Sequence, residues 1–184
     1  MLSITKLFLG AKRILLQKGV RMFSLKEKVV YPGHGVAEVT RILEKKVGIR
    51  KSSFFELKFL NKDMTILVPV ENAESVGIRP LSSSQSINDI FMILSQPAVF
   101  RSADAPTVNW SKRNKEYLGK LRTGDLKEIC AIYRELRHIA GRKELSFGER
   151  SLLQKTEVLL AEEISIVENI AHDQAVERVR HLVV

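Results

Sequence analysis

The stretch PTVNWSKRNKEYLGKL, residues 106–121, holds the one tryptophan of the sequence, Trp110, followed by Lys112, Arg113, Lys115 and Lys120 against a single acid, Glu116. An aromatic face among cations can stack on a nucleic-acid base or wedge into a groove while the charges hold phosphates. The competing role is structural: a lone tryptophan more often has its large apolar face covered, here as an anchor plugging a linker to a helix. Composition alone favours the anchor. Yet Lys112, Arg113 and Lys115 cannot all face inward on one helix, so at least some of them place charge around the indole.

Other residue types offer less chemistry. The single cysteine, Cys130, excludes an internal disulfide, and its neighbours Ile129, Ala131 and Ile132 mark a small buried thiol rather than a nucleophile. His34, His138, His172 and His181 show no ligand spacing with the acids or with Cys130, so no metal site is expected. Gly33 and Gly35 flank His34 without the third glycine and following helix of a dinucleotide loop, and read as turn residues. No phosphate-cradle lysine motif or nucleophile elbow is present. Glu162 and Glu163 are adjacent on an acidic helix, facing different directions. These observations leave an enzyme or a bound cofactor little to stand on.

The elements that must position Trp110 are legible in the periodicity. With 184 residues, 45% hydrophobic and 28% charged, the chain has the composition of a folded soluble protein of one domain or two small ones. From Val29 to Val70 the pattern is that of strands: KVVYPGHGVAEVTRI places β-formers on both sides of a Pro-Gly-His-Gly turn, and SSFFELKFL alternates Phe55, Leu57 and Phe59 with Glu56 and Lys58. MTILVPV is a short apolar run that Pro69 should end. Three or four short antiparallel strands of this kind predict a small, strongly bent sheet or barrel.

After RPLSSSQS the period becomes helical. Ser86 with Asp89 predicts the start of a short helix that Pro97 ends, and a polar linker follows over 97–109. A helix from Trp110 to about Leu121 stops at Thr-Gly-Asp. Asp125 with Glu128, then Ser146 with Glu149, have capping-box spacing ahead of two further helices, and a last helix fits 173–182. The fold class is α+β: a β module over 23–81, a short helix and linker over 82–109, and an all-helical bundle over 110–184.

The formal charge of +9 is uneven, with net +5 over residues 1–22, +2 over 23–100, +6 over 101–143 and −4 over 144–184. The positive excess of the folded part therefore begins near Trp110, as on a surface that meets a polyanion. A well-solvated helix face is the plainer alternative. Residues 1–22 are amphipathic, but Lys12 and Arg13 break the continuous apolar core a signal peptide needs, and the apolar runs are too short to span a bilayer. They read as a transit-like or membrane-surface helix or, preferably, as the product of a start codon upstream of the true one at Met22.

Four motifs in order, VVYPGHGVAEV, LVPVENAESVGIRPL, NWSKRNKEYLGKLRTGDLKEI and LSFGERSLLQKTEVLLAEE, closely resemble the CarD/CdnL family of bacterial transcription factors over about residues 24–168. The resemblance implies a Tudor-like β domain that docks on the β subunit of RNA polymerase, with a similar module in transcription-repair coupling factors. It also implies a helical DNA-binding domain that touches promoter DNA at the upstream edge of the transcription bubble. There the tryptophan at the position of Trp110 wedges into the minor groove and holds the open complex. Arg113 and Lys115 beside it and Arg150 carry over as backbone contacts, and Lys112, from the basic segment itself, is expected to meet phosphate with them. Lys45 falls where some relatives carry a basic residue that meets the polymerase, and Leu67 where some have an arginine for the same contact. A cytoplasmic monomer without cofactor, metal or membrane is expected. The alternatives are a protein-interaction adaptor whose Tudor-like module binds a repair or other partner, and an RNA-binding protein that uses the barrel as its platform.

Overall fold

In the computed structural model, residues 22–47, 50–96 and 110–183 are described. Expectations for residues 1–21, for the linker over 97–109 and for the helix end at Pro97 lie outside them.

Among the described residues five strands form one antiparallel sheet: β1 (Lys28–Tyr31), β2 (Gly35–Val47), β3 (Arg50–Phe59), β4 (Thr65–Pro69) and β5 (Arg79–Pro80), in the order β4-β3-β2-β1-β5. The expected alternation holds, with Phe55, Leu57 and Phe59 buried in a core that also contains Phe23, Val39 and Val68. The register of β2 on β3 shifts between Val39 and Arg41. Thr40, the extra residue, bonds through Oγ1 to the Glu56 carbonyl at 3.2 Å and to its carboxylate at 2.8 Å. Such a bulge resets the two-residue period and bends the strand. Beyond it Arg41, Leu43 and Lys45 share the outer face, opposite Glu56, Phe54 and Ser52. Two strands are long rather than short, and the two-residue β5, too brief to give a pattern, was not anticipated.

Among the described residues five helices follow: α1 (Ser84–Ser95), α2 (Trp110–Thr123), α3 (Leu126–Arg142), α4 (Phe147–Glu168) and α5 (His172–Leu182). Two expectations about their starts need correction. Ser83, not Ser86, caps α1, its hydroxyl accepting from the Ser86 N–H at 3.1 Å. At α3, Asp125 accepts from the Lys127 N–H, while Glu128 turns to Lys120 instead of closing a box. The box at α4 forms in full between Ser146 and Glu149. The helices bury a second core that includes Tyr117, Tyr133, Leu136, Leu160 and Ile164.

The two cores meet at the Pro-Gly-His-Gly turn. Gly35 has φ +104°, and a Cβ there would lie 2.1 Å from a carboxylate oxygen of Glu162 on α4. Only glycine fits both the backbone and the space. Pro32 packs against the turn after α2, its Cγ 3.1 Å from where a Cβ on Gly124 would stand. The β module is thus seated on the helices through its first hairpin.

Candidate nucleic-acid interface

On α2, residues 110, 113, 117 and 121 fall on one stripe at helical spacing. Arg113, Tyr117 and Leu121 are buried, and Trp110 is half-buried against the helical core. The indole lies on the first turn of α4, where a Cβ on Gly148 would come within 3.0 Å of its Cζ2 and 3.2 Å of its Nε1. Trp110 is therefore neither a fully covered anchor nor a free wedge: one face is seated on α4.

Arg113 departs from its expected role as a phosphate contact. Its side chain is 10% exposed and donates from Nη2 to Glu149 at 3.0 Å, with the guanidinium carbon 5.9 Å from the indole centroid. The physical reason is spacing, since a residue three places from the seated Trp110 shares its inward stripe. Glu149, 2% exposed, also accepts from Lys143 Nζ at 3.1 and 3.2 Å and from the Ser146 N–H and hydroxyl, each at 2.9 Å. Burial pushes this carboxyl up, but the bonds from Ser146 and Lys143 outweigh it and hold the group below its ordinary value. A charged carboxylate thus fastens α2, and Trp110 with it, to the start of α4.

Lys112, Lys115 and Arg150 are exposed. At about 100° of turn per residue, Lys115 stands about 140° and Lys112 about 160° around α2 from Trp110, so neither lies directly beside the indole. Arg150 reaches Glu144 at 3.4 Å across the surface, a weak attachment that a phosphate could replace. The sequence did not reveal Gly148 as the seat of the indole. It did mark Glu149 as a capping acid, without its second partner.

The other predicted sites lie on the β module. Leu67, 41% exposed, is on the edge strand β4, opposite Glu56 and so on the outer face. Lys45 is exposed on the same face of β2, four residues beyond Arg41, or about 13 Å along the strand. Leu43 and Phe54, partly exposed, lie between them. This is a small apolar patch with charges at its border, beside a strand edge that is unpaired among the described residues.

Cys130 is buried, its thiol pushed up to about 12 chiefly by desolvation. Among the described residues no group of three or more His, Cys, Asp or Glu could hold a metal ion, and no helix is long and apolar enough to cross a membrane.

Residues 23–82 match the family described as CarD-like/TRCF RID domain, and residues 89–180 the family described as CarD, C-terminal domain. YdeB of Bacillus subtilis (strain 168), named as a candidate transcription factor, is 25% identical over 153 residues, 83% of this chain and 97% of that protein.

Proposed function

The chain belongs to the CarD family of transcription factors, and from that premise we propose that it docks on the β subunit of RNA polymerase and stabilises the open promoter complex. Docking uses the outer face of the β module around Lys45 and Leu67. With leucine at position 67 the contact there is apolar, and the unpaired edge of β4 offers backbone donors and acceptors to a partner strand. Trp110 meets DNA at the upstream edge of the bubble, and Lys112, Lys115 and Arg150 meet phosphates. Arg113 acts on Trp110 from behind, as a positioning residue. The protein works in the cytoplasm, on the nucleoid, wherever the polymerase carries it.

The observation that carries this reading is the seat of Trp110. A half-exposed indole is held by Gly148 and by the Arg113–Glu149 pair, at a place fixed relative to the sheet by the seated hairpin. Phosphate contacts give sequence-neutral affinity, and docking supplies the address. No catalysis is needed. A contact available only in opened DNA shifts the closed–open equilibrium by its differential affinity, about 1.4 kcal/mol for each factor of ten. The test is co-purification of the full chain with RNA polymerase, together with the open-complex lifetime on one promoter with and without the protein. Co-purification and a longer lifetime are expected. Failure to bind polymerase would overturn the reading.

A further inference from the structure

Phe147 is 88% exposed, the most exposed of the large hydrophobic side chains among the described residues. It occupies the first position of α4, where folding gives it no task. Phenylalanine brings no propensity advantage to a helix start. The capping box is completed by Ser146 and Glu149 without it, and Leu145, two residues earlier, is already buried. A single exposed apolar side chain is ordinary. This one adjoins Gly148, on which the Trp110 indole rests. Around α4 it stands about 100° from Gly148 and about 60° from Arg150, so it lies between the indole and an exposed cation. Lys143, also exposed, comes from the segment just before the helix. The nearby acids are already engaged: Glu149 by Arg113 and Lys143, Glu144 by Arg150.

We propose that Phe147 is a second DNA-contacting aromatic, stacking on a base left unpaired at the junction of duplex and single strand, next to the contact made by Trp110. The ring supplies a sequence-tolerant π-face, and Arg150, whose exposed attachment to Glu144 a phosphate could replace, matches a phosphate that flanks such a base. Intact duplex offers no unstacked base, so Phe147 adds preference for the fork rather than general affinity. The inference rests on the DNA-contact reading of Trp110 and names a further residue of that site.

The test uses the full chain and two fluorescent DNA probes of equal length, a continuous duplex and a fork with a single-stranded extension, titrated at low salt. Phe147→Ala should weaken fork binding about 5- to 150-fold, the span of base–aromatic stacking. Duplex binding, salt slope and melting temperature should not move. Phe147→Tyr should restore most of the loss. Equal loss on both probes, or none, would overturn the inference. Trp110→Ala separates it from the reading beneath it. If Trp110→Ala alone weakens fork binding, Phe147 is excluded and the DNA contact stands. If neither variant weakens it, both fall. Loss of polymerase binding by Phe147→Ala with DNA binding intact would make the residue a protein contact and also overturn the proposal.

Discussion

Arg79 on β5 and Glu163 on α4 form a two-bond clamp, Nη1 donating at 2.7 Å and Nη2 at 2.8 Å to the two carboxylate oxygens. The carboxylate, 2% exposed, also accepts from the Ser82 N–H at 2.8 Å, and Arg79 Nε donates to the Gly124 carbonyl at 2.8 Å. One guanidinium thus ties the last strand both to α4 and to the turn after α2, the helix that begins with Trp110. The sheet and the helices are thereby fastened to one another.

Arg79→Ala should therefore damage more than a surface pair. It leaves a buried carboxylate without its cation, a change that costs about 3–5 kcal/mol. Arg79→Lys should recover only part, since an ammonium cannot fill both bonds to Glu163 and the bond to Gly124. Thermal melting and native-state hydrogen exchange at Ser82 would check this. Unchanged melting of Arg79→Ala would mean that the clamp is dispensable.

Glu162, the neighbouring carboxylate, carries the opposite expectation. Burial pushes it up, against a bond from the Val36 N–H and the charge of Lys62. The folded chain then holds this proton more tightly than the unfolded chain. Stability falls as pH rises from the ordinary glutamate range through the raised folded value. Glu162→Gln removes the buried charge and keeps an acceptor for Val36. Its melting temperature should exceed wild type at pH 8, by about 2–4 °C per kcal/mol relieved, and converge with it in acid. A deficit at pH 8 would show that the charge is compensated.

How far these partners were legible depended on distance along the chain. The alternation of Phe55, Leu57 and Phe59 and the box of Ser146 with Glu149 are local patterns, and both appear as read. Arg79 and Glu163 are 84 residues apart, and Arg113 and Glu149 are 36 apart. Nothing in a one-dimensional pattern distinguishes such a pair from solvated charges. The two acids of α4 were read as facing different directions, and they do, but each faces a β-module partner that only the fold supplies. Arg113 looked like Lys112 and Lys115 for the same reason.

That difference predicts two phenotypes among the cations. Neutralising Lys112, Lys115 or Arg150 should weaken binding to unrelated DNA sequences about equally, lowering the salt slope by roughly one unit per lost contact. Folding should be unaffected. Arg113→Ala should instead lower the melting temperature, because the buried Glu149 keeps only Lys143 and Ser146, and should loosen Trp110. An unchanged slope for the three exposed cations would make them a solvated face. A slope loss from Arg113→Ala without loss of stability would return it to the phosphates.

Gly148 supplies a way to move the indole without deleting it. Gly148→Leu places a branched side chain where the indole lies, while leucine is a better helix former than glycine. The expected result is a helix at least as stable, with open-complex lifetime shortened as by Trp110→Ala. Full lifetime in this variant would mean that the seat on α4 does not set the DNA contact.

Trp110→Ala must be read against its half-burial. A core tryptophan replaced by alanine costs about 3–5 kcal/mol. With the indole packed on Gly148, Tyr117 and Arg113 on one side and exposed on the other, Trp110 should cost on the order of 1–2 kcal/mol, or roughly 2–8 °C of melting temperature. The chain stays folded and polymerase docking remains. Open-complex lifetime should fall about 5- to 150-fold, since a contact of about 1–3 kcal/mol exists only with opened DNA. Phenylalanine at 110 should restore part of it and lysine little, because the wedge needs an apolar face. Stability and contact are separated by a matched control: Ile132→Val, deep in the helical core, lowers melting by a similar 0.5–1.5 kcal/mol. It is buried and is none of the residues proposed to meet DNA, so its lifetime should equal wild type. A control that shortened the lifetime as much as Trp110→Ala would assign the whole effect to stability. An unchanged lifetime for Trp110→Ala would remove the tryptophan from the DNA contact altogether.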